Sequence, residues 1–205
     1  MKTDKGETIM KNRALQLALI VALTLAATPG AARAADSYKV DPAHSFALFK
    51  VGHLGVSFVH GSFTGISGKI IYDKKDIKGN FVEIVVGVDS VNTNNADRDA
   101  HLKRDDFFHA EKYPTMSFKS KRFKKLEGEK YEVTGDFTLH GVTKTITVIA
   151  EVTGEGKDPW GGVRAGFETA FTIKRSDYGM DKNIPAAGDK VWVTLNVEGI
   201  REQAK

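Results

Sequence analysis

The sequence predicts an all-β domain, an antiparallel β-barrel of about eight strands with one short helical insertion. Three observations carry that prediction. Apolar and polar residues alternate with period two through most of the chain, as in Val191, Val193, Leu195 and Val197 against Trp192, Thr194, Asn196 and Glu198. The same alternation sets Phe167, Thr169, Phe171 and Ile173 against Glu168, Ala170, Thr172 and Lys174, and it is the mark of a half-buried antiparallel strand. The alternation lapses for any length only at 94–108, so no long helix separates the strands.

The first 34 residues read as a signal peptide and residues 35–205 as one β-barrel domain. Lys2, Lys5, Lys11 and Arg13 form a basic start, although Met10 is a second candidate for the first residue. Ala14 to Ala27 is an apolar run of roughly 14 residues, the length of a signal core and short of the ~20 that span a bilayer. Thr28, Pro29 and Gly30 break it, and Ala32-Arg33-Ala34 fits a small-x-small cleavage site. Cleavage there gives an exported chain beginning at Ala35 or Asp36; the alternative is an uncleaved N-terminal anchor. No later stretch is apolar enough to cross a membrane, so a cleaved chain keeps no stable membrane anchor.

Strands are expected near Ser37–Val40, His44–His53, Val56–Thr64, Ser67–Tyr72 and Asn80–Val91. Gly65, Gly68, Asp73 and Gly79 punctuate them, since glycine tolerates positive φ and Asn or Asp bonds its own backbone. Asp76 to Asn80 reads as a hairpin loop. In 94–108 Asn95 can cap a helix, Asp97 and Asp99 suit its positive end, and Lys103 and Arg104 come later, as the macrodipole prefers. Leu102, Phe107 and Phe108 can pack that helix on a barrel mouth. Strands resume at Thr115–Phe123, Tyr131–Leu139, Lys144–Val152, Val163–Arg175 and Lys190–Ile200, with turns at Lys125–Glu129, His140–Val142 and Gly154–Gly162.

Composition excludes several functions. The formal charge of the 205 residues is +4, and removing five basic and two acidic leader residues brings it to +1. A near-neutral domain has no electrostatic case for nucleic acid. The basic run Lys119 to Lys125 is explained as well by a solvated strand edge. The chain has no cysteine, which removes thiol nucleophiles, disulfides and Cys-based zinc. About 170 residues build a core without such staples.

Polar neighbours assign the faces. With Glu83 outside, Val82, Ile84, Val86 and Val88 point in. With Lys119 and Lys121 outside, Met116, Phe118 and Ser120 point in. In the second strand the inward set is Ser45, Ala47, Phe49, Val51 and His53, although Phe46 and Leu48 are apolar too, as if both faces were covered. Phe63, Phe137, Phe167, Phe171 and Ile173 join the interior, with Val193 and Leu195 from the last strand. Such an interior can be a packed core or hold one small ligand. The alternation alone does not decide between them.

Catalytic patterns are thin. The six histidines, His44, His53, His60, His101, His109 and His140, form no HExxH. Asp41 and His44 flank a proline corner, where His44 can bond Asp41 and lock the turn or take part in metal ligation. His53 can face the mouth, and His101 lies on the helix. There is no GxSxG elbow and no phosphate loop leading into a helix. Arg175 has inward parity and must find a partner if buried: either Asp177 or a carboxylate of the helical insertion, or a ligand head group at the mouth.

Six stretches in order, YKVDPAHSFALFKVGHLGVSFVHGSFTGISGKI, NADRDAHLKRDDFF, YPTMSFKSKRF, GDFTLHGVTKTITV, AGFETAFTIKRSDYGM and GDKVWVTLNVEGI, resemble the YceI-like polyisoprenoid-binding family over 38–200. The resemblance implies a lipocalin-like antiparallel barrel, exported to the periplasm, that holds a long isoprenoid such as a polyprenyl chain or quinone tail. It carries no settled catalytic set, and no metal is expected. Asp41, His44, His101, Arg175, Asp177 and Gly179 match its motifs without assigned roles. The expectation is therefore a periplasmic binder with no cofactor apart from a bound isoprenoid or quinone. Its ligand-lining residues would be Phe49, Val51, His53, Phe63, Ile84, Val86, Met116, Phe118, Phe167, Phe171, Ile173, Arg175, Val193 and Leu195. An exposed barrel edge leaves room for a homodimer. Two other readings stay open: a small periplasmic hydrolase or isoprenoid-modifying enzyme using His44, His53 or His101, and a stress-protective protein with a filled core.

Overall fold

The computed structural model describes residues 35–203, so the signal-peptide expectation lies outside the described residues. The strands are β1 Asp36–Val40, β2 Phe46–His53, β3 Ser57–Phe63, β4 Ile66–Tyr72, β5 Phe81–Gly87, β6 Val91–Asn92, β7 Thr115–Lys125, β8 Lys130–Leu139, β9 Val142–Lys157, β10 Val163–Lys174 and β11 Ala187–Arg201. Among the described residues one α-helix, α1, spans Ala96–Leu102.

Every strand contact is antiparallel, and the sheet closes where β1 pairs with β11, Tyr38 opposite Arg201 and Val40 opposite Gly199. Six of the early strands join end to end as three bent staves, β1 with β2, β3 with β4 and β5 with β6. β1 and β2 both lie along β11, β3 and β4 pair with them, and β6 extends β5 against β3. Counted as staves, the wall is an eight-stranded up-and-down barrel.

The bends have local causes. Pro42 has no N–H to continue a ladder, and the chain turns there. Gly65 meets the turn Val88–Ser90, where a Cβ on Gly65 would stand 3.0 Å from the Ser90 side chain. Gly87 N–H donates to the Gly65 carbonyl at 2.8 Å, so the two bends brace one another.

One end of the barrel carries the β2–β3 turn, α1 with its flanking segment 93–114, the β8–β9 turn and the connection 175–186. We call it the helical end. The far end carries the loops 73–80, 126–129 and 158–162. Both tight turns at the helical end put two successive residues at positive φ, Leu54-Gly55 (51° and 70°) and His140-Gly141 (51° and 76°). That geometry matches the right-handed twist of the strands they join.

Several expected boundaries move. The turn expected over 154–162 begins only at Asp158, because Gly154 and Gly156 stay in the ladder opposite Gly166 and Arg164. β11 starts at Ala187 rather than Lys190, across an irregular step before Val191. Asn95 caps α1 as expected, accepting from Arg98 N–H at 2.9 Å. Phe46 and Leu48 are not covered: they are 42% and 44% exposed, so β2 is buried on one face only.

A charged cluster pins the seam. The Asp41 carboxylate accepts from Ala43 N–H at 3.0 Å and lies 2.9 Å from His44 Nδ1 and 2.7 Å from Arg164 Nη1. Arg164 also binds Glu198 of β11 and Asp158 of the far-end loop. Ser45, fully buried, donates to the Asp41 carbonyl at 2.7 Å and accepts from Glu198 N–H at 3.1 Å. This is the structural alternative for His44. Asp41, His44 and Glu198 lie close enough to suit a cation, but the Arg164 guanidinium already bridges the two carboxylates.

The hydrogen bond from His44, with Arg164 and Ala43 assisting, holds the Asp41 carboxyl down at about 2. The unfolded chain takes up this proton near the ordinary value of 3.8, before the folded chain does. The cluster therefore stabilises the fold above that pH and loses its effect as pH falls towards 2. Asp41→Asn is expected to cost about 1–3 kcal/mol at neutral pH. In denaturant melts, its difference from the parent protein should narrow between pH 3.8 and 2.

Candidate ligand-binding cavity

The barrel interior holds a cavity of about 240 Å³. Its wall follows from strand parity. Phe167, Phe171 and Ile173 of β10 face inward beside their partners Val197, Val193 and Val191 of β11. Leu195 of β11 pairs with Ala47 of β2, and Phe49 and Val51 continue that row. Ile84 and Val86 of β5 pair with Phe118 and Met116 of β7. Phe63 completes the row from β3.

Two missing side chains make room for rings. Gly61 is opposite Phe49 in the ladder, and a Cβ there would lie 2.3 Å from the Phe49 ring. A Cβ on Gly135 would come within 2.5 Å of the Phe118 ring. The aromatic residues then meet edge to face. Phe63 contacts Phe108 with centroids 5.5 Å apart, and Phe137 contacts Phe171 at 6.0 Å.

The two ends differ. At the helical end Leu102, Phe107 and Phe108, from α1 and the turns after it, reach the cavity wall. At the far end Tyr38, Tyr72, Tyr131 and Phe167 form an aromatic floor. The Tyr72 and Tyr131 hydroxyls bond each other at 3.1 Å, and Lys125 Nζ donates to Tyr131 at 3.0 Å. Burial, and then the neighbouring Tyr131 hydroxyl, push the Tyr72 phenol far above its ordinary range. It stays neutral.

Arg175 is 5% exposed and lines the cavity at the helical end. The sequence offered a carboxylate or a ligand head group as its partner; the structure supplies backbone carbonyls. Arg175 sits in a short turn, Arg175–Tyr178, beyond the end of β10. Its guanidinium donates to the carbonyls of Met180, Lys182, Ala187 and Gly188 at 2.6–3.1 Å. The helical insertion contributes the Phe107 ring, 5.8 Å from the guanidinium carbon. Asp177 turns away to Lys144 at 3.7 Å. Desolvation lowers the Arg175 pKa, opposed by Asp189 and Asp181. The residue is thus the organising centre of the 176–188 connection.

That connection completes the wall. β9 and β10 pair only as far as Ala150 and Thr169, where Thr169 Oγ1 donates to the Ile149 carbonyl at 2.8 Å. Beyond this point Tyr178 and Met180 pack with Phe137 and Leu139, against Val142, Ile146 and Ile173.

Of the ligand-lining residues expected from sequence, all but His53 line the cavity. His53 is exposed, because the ladder ends there and the chain enters the β2–β3 turn. Ser120 and Val88, also expected inside, do other work. Ser120 accepts from Val82 N–H at 2.9 Å, and Val88 is buried in the bend after β5. A bulge between Ser120 and Arg122 reverses the parity of β7 and brings Phe123 to the cavity.

Sequence reasoning left out the inner rows of β8 and β9: Tyr131, Val133 and Leu139, then Ile146, Val148, Ala150 and Val152. Their alternation is as regular as that of β10 and carried the signal. The histidines proposed for catalysis do not gather. His44 engages Asp41, His101 engages Asp106 at 2.8 Å, and His53 stands at the β2–β3 turn.

Comparison with known proteins places this geometry. The YceI-like domain model matches residues 38–199. A UPF0312 protein of Photorhabdus laumondii is 43% identical over 171 residues, 82% of this chain and 88% of the relative. A UPF0312 protein of Pseudomonas aeruginosa is 42% identical over 177 residues, 85% and 92% of the two chains. Among solved structures, the Campylobacter jejuni YceI protein is similar at 35% identity and TM-score 0.66, covering 75% of this chain and 90% of that one. A polyisoprenoid binding domain from Saccharophagus degradans shares the fold at 18% identity and TM-score 0.63, covering 80% and 98%.

Replacing Arg175 by Met keeps much of its volume and leaves four carbonyls without their donor. Arg175→Met is expected to lose roughly 3 kcal/mol in denaturant melts. Amide exchange should rise first across 176–188, ahead of β4 and β5.

Proposed function

The chain belongs to the YceI-like family, and on that premise we propose that it binds a long isoprenoid lipid, a polyprenyl chain or a quinone tail, inside the barrel after export to the periplasm. The observation that carries the proposal is the cavity wall. It is hydrocarbon along its length, from Leu102 and Phe107 at the helical end to Val152 and Phe167 towards the far end.

An isoprenoid in water exposes apolar surface along its whole length. Moving it into such a wall gains about 25 cal/mol for each Å² covered. No side chain has to act chemically for that. Two of the polar groups that border the cavity already have partners within the chain: the Tyr72 hydroxyl with Tyr131, and Arg175 with its carbonyls. Such a wall selects a tail and leaves a polar head outside. The Saccharophagus domain, of the same fold, is a polyisoprenoid binding domain, which supports the ligand class. The leader pattern of residues 1–34 supports export, and shielding or carrying a membrane lipid through an aqueous compartment fits both.

Native mass spectrometry of the protein purified from its own host, followed by extraction, tests the reading. The expected result is one isoprenoid or quinone per chain; a protein free of lipid in gentle detergent-free preparations would overturn it. Ala150 is half-buried and lines the cavity. Ala150→Phe adds a ring to the void without adding a charge. It is expected to keep the fold by circular dichroism and to lower lipid occupancy at least tenfold.

A further inference from the structure

The surface of the barrel is uneven in a way the interior does not require. Eight large apolar side chains are exposed among the described residues, and five of them, Phe46, Leu48, Leu54, Val56 and Phe58, belong to the β2–β3 hairpin. Val56 is 82% exposed, Leu54 59% and Phe58 53%. Scattered exposed apolar residues need no explanation, whereas a cluster on one element does.

The charge on this element is one-sided. From Phe46 to Phe63 the hairpin has no carboxylate, while Lys50, His53 and His60 fall on it. Lys50 Nζ lies 4.7 Å from the Phe58 ring and 4.9 Å from the Trp192 ring, and Lys190 Nζ approaches Trp192 at 5.0 Å. Phe58 and Trp192 meet edge to face at 5.6 Å. Aromatic rings beside lysines, below an aliphatic tip, form the arrangement that side chains adopt at a lipid–water boundary.

The hairpin is also continuous with the cavity. Phe49 and Val51 on its inner face line the wall, and Leu54 N–H donates to the carbonyl of Ala186 in the connection that Arg175 organises. On its other side β3 pairs with β6 only at Ser62 and Phe63, so the Ser57–Gly61 part has β2 as its one strand partner among the described residues.

We propose that the β2–β3 hairpin, with Lys50, Lys190 and Trp192, docks the helical end of the barrel on an anionic lipid surface. Leu54 and Val56 enter the head-group layer, and the lysines sit at the phosphates. The inference deepens the isoprenoid-binding reading, because a carrier whose cavity ends at the membrane can exchange a tail without exposing it to water. The contact is peripheral and reversible, as the small inserted area implies.

The test is co-sedimentation of the host-purified protein with vesicles of phosphatidylglycerol and phosphatidylcholine in equal parts, and with phosphatidylcholine alone. Binding is expected to the mixed vesicles, to fall with added salt, and to weaken at least tenfold in Val56→Asp and in Lys50→Glu. Both positions lie outside the core, and circular dichroism checks the fold. In a Trp160→Phe background, the Trp192 emission should shift to the blue on the mixed vesicles. No binding by the parent protein, or binding as strong as the parent's by both variants, overturns the proposal. So does a concentration-dependent dimer that Val56→Asp abolishes without any vesicle binding, since the patch would then seat a second copy. Lipid occupancy in the same preparations keeps the two readings apart. Val56→Asp should retain its lipid while losing the vesicles, and Ala150→Phe should do the reverse.

Discussion

Everything in this molecule depends on the first strand meeting the last. The β1–β11 ladder and the ion cluster beside it turn a meander into a closed wall. A closed wall has an inside, and period-two alternation then sends one face of every stave there. The seam is held by groups that tolerate water. Asp41, Arg164, Glu198 and Asp158 bond one another on the outer side of the wall, with Asp41 itself buried by the contacts, while Ser45 stitches the backbones together beneath them. These charges lie on the outer side of the wall, each with its partners, and the cavity surface is almost wholly hydrocarbon.

Closure also explains why a void remains. Eight staves fix a circumference, and side chains must fill whatever it encloses. This chain leaves Gly61 and Gly135 at inward positions and lets the Phe49 and Phe118 rings lie across them. The rings are drawn towards the wall, and the axis stays open. Overpacking or collapse would each have removed the cavity at the cost of strain or a smaller barrel. The far-end tyrosines and the helical-end phenylalanines then bound its length.

The interior and the surface place demands on the same hairpin. One face of β2 lines the cavity through Phe49 and Val51, and the other carries Phe46 and Leu48 to solvent. A strand that is apolar on both faces and buried on one has surface to offer a partner. Arg175 stands close to this junction. By binding four carbonyls it shapes the connection against which the hairpin tip rests, so the mouth is built on a buried cation held by carbonyl dipoles.

The inward rows of β2, β5, β7, β10 and β11 were legible in the sequence, because alternation is a local property and a closed barrel preserves it along each stave. Asn95 as a helix cap was legible for the same reason: its bond reaches only three residues along. The features that only the tertiary structure decided involve partners distant in sequence. The bulge that swings Phe123 inward comes from the offset between β7 and β8. Gly154 and Gly156 look like turn residues, yet the ladder with β10 holds them in a strand. For Arg175 a carboxylate or a ligand head group was expected; its cation meets carbonyl dipoles, which no side-chain pattern records. Arg164 gave no signal at all, since its three carboxylates lie on separate elements. The sequence determined which face each strand would bury, as apolar surface must leave water wherever the strand goes. The fold decided what each buried polar group would find there, because only closure brings those partners within reach.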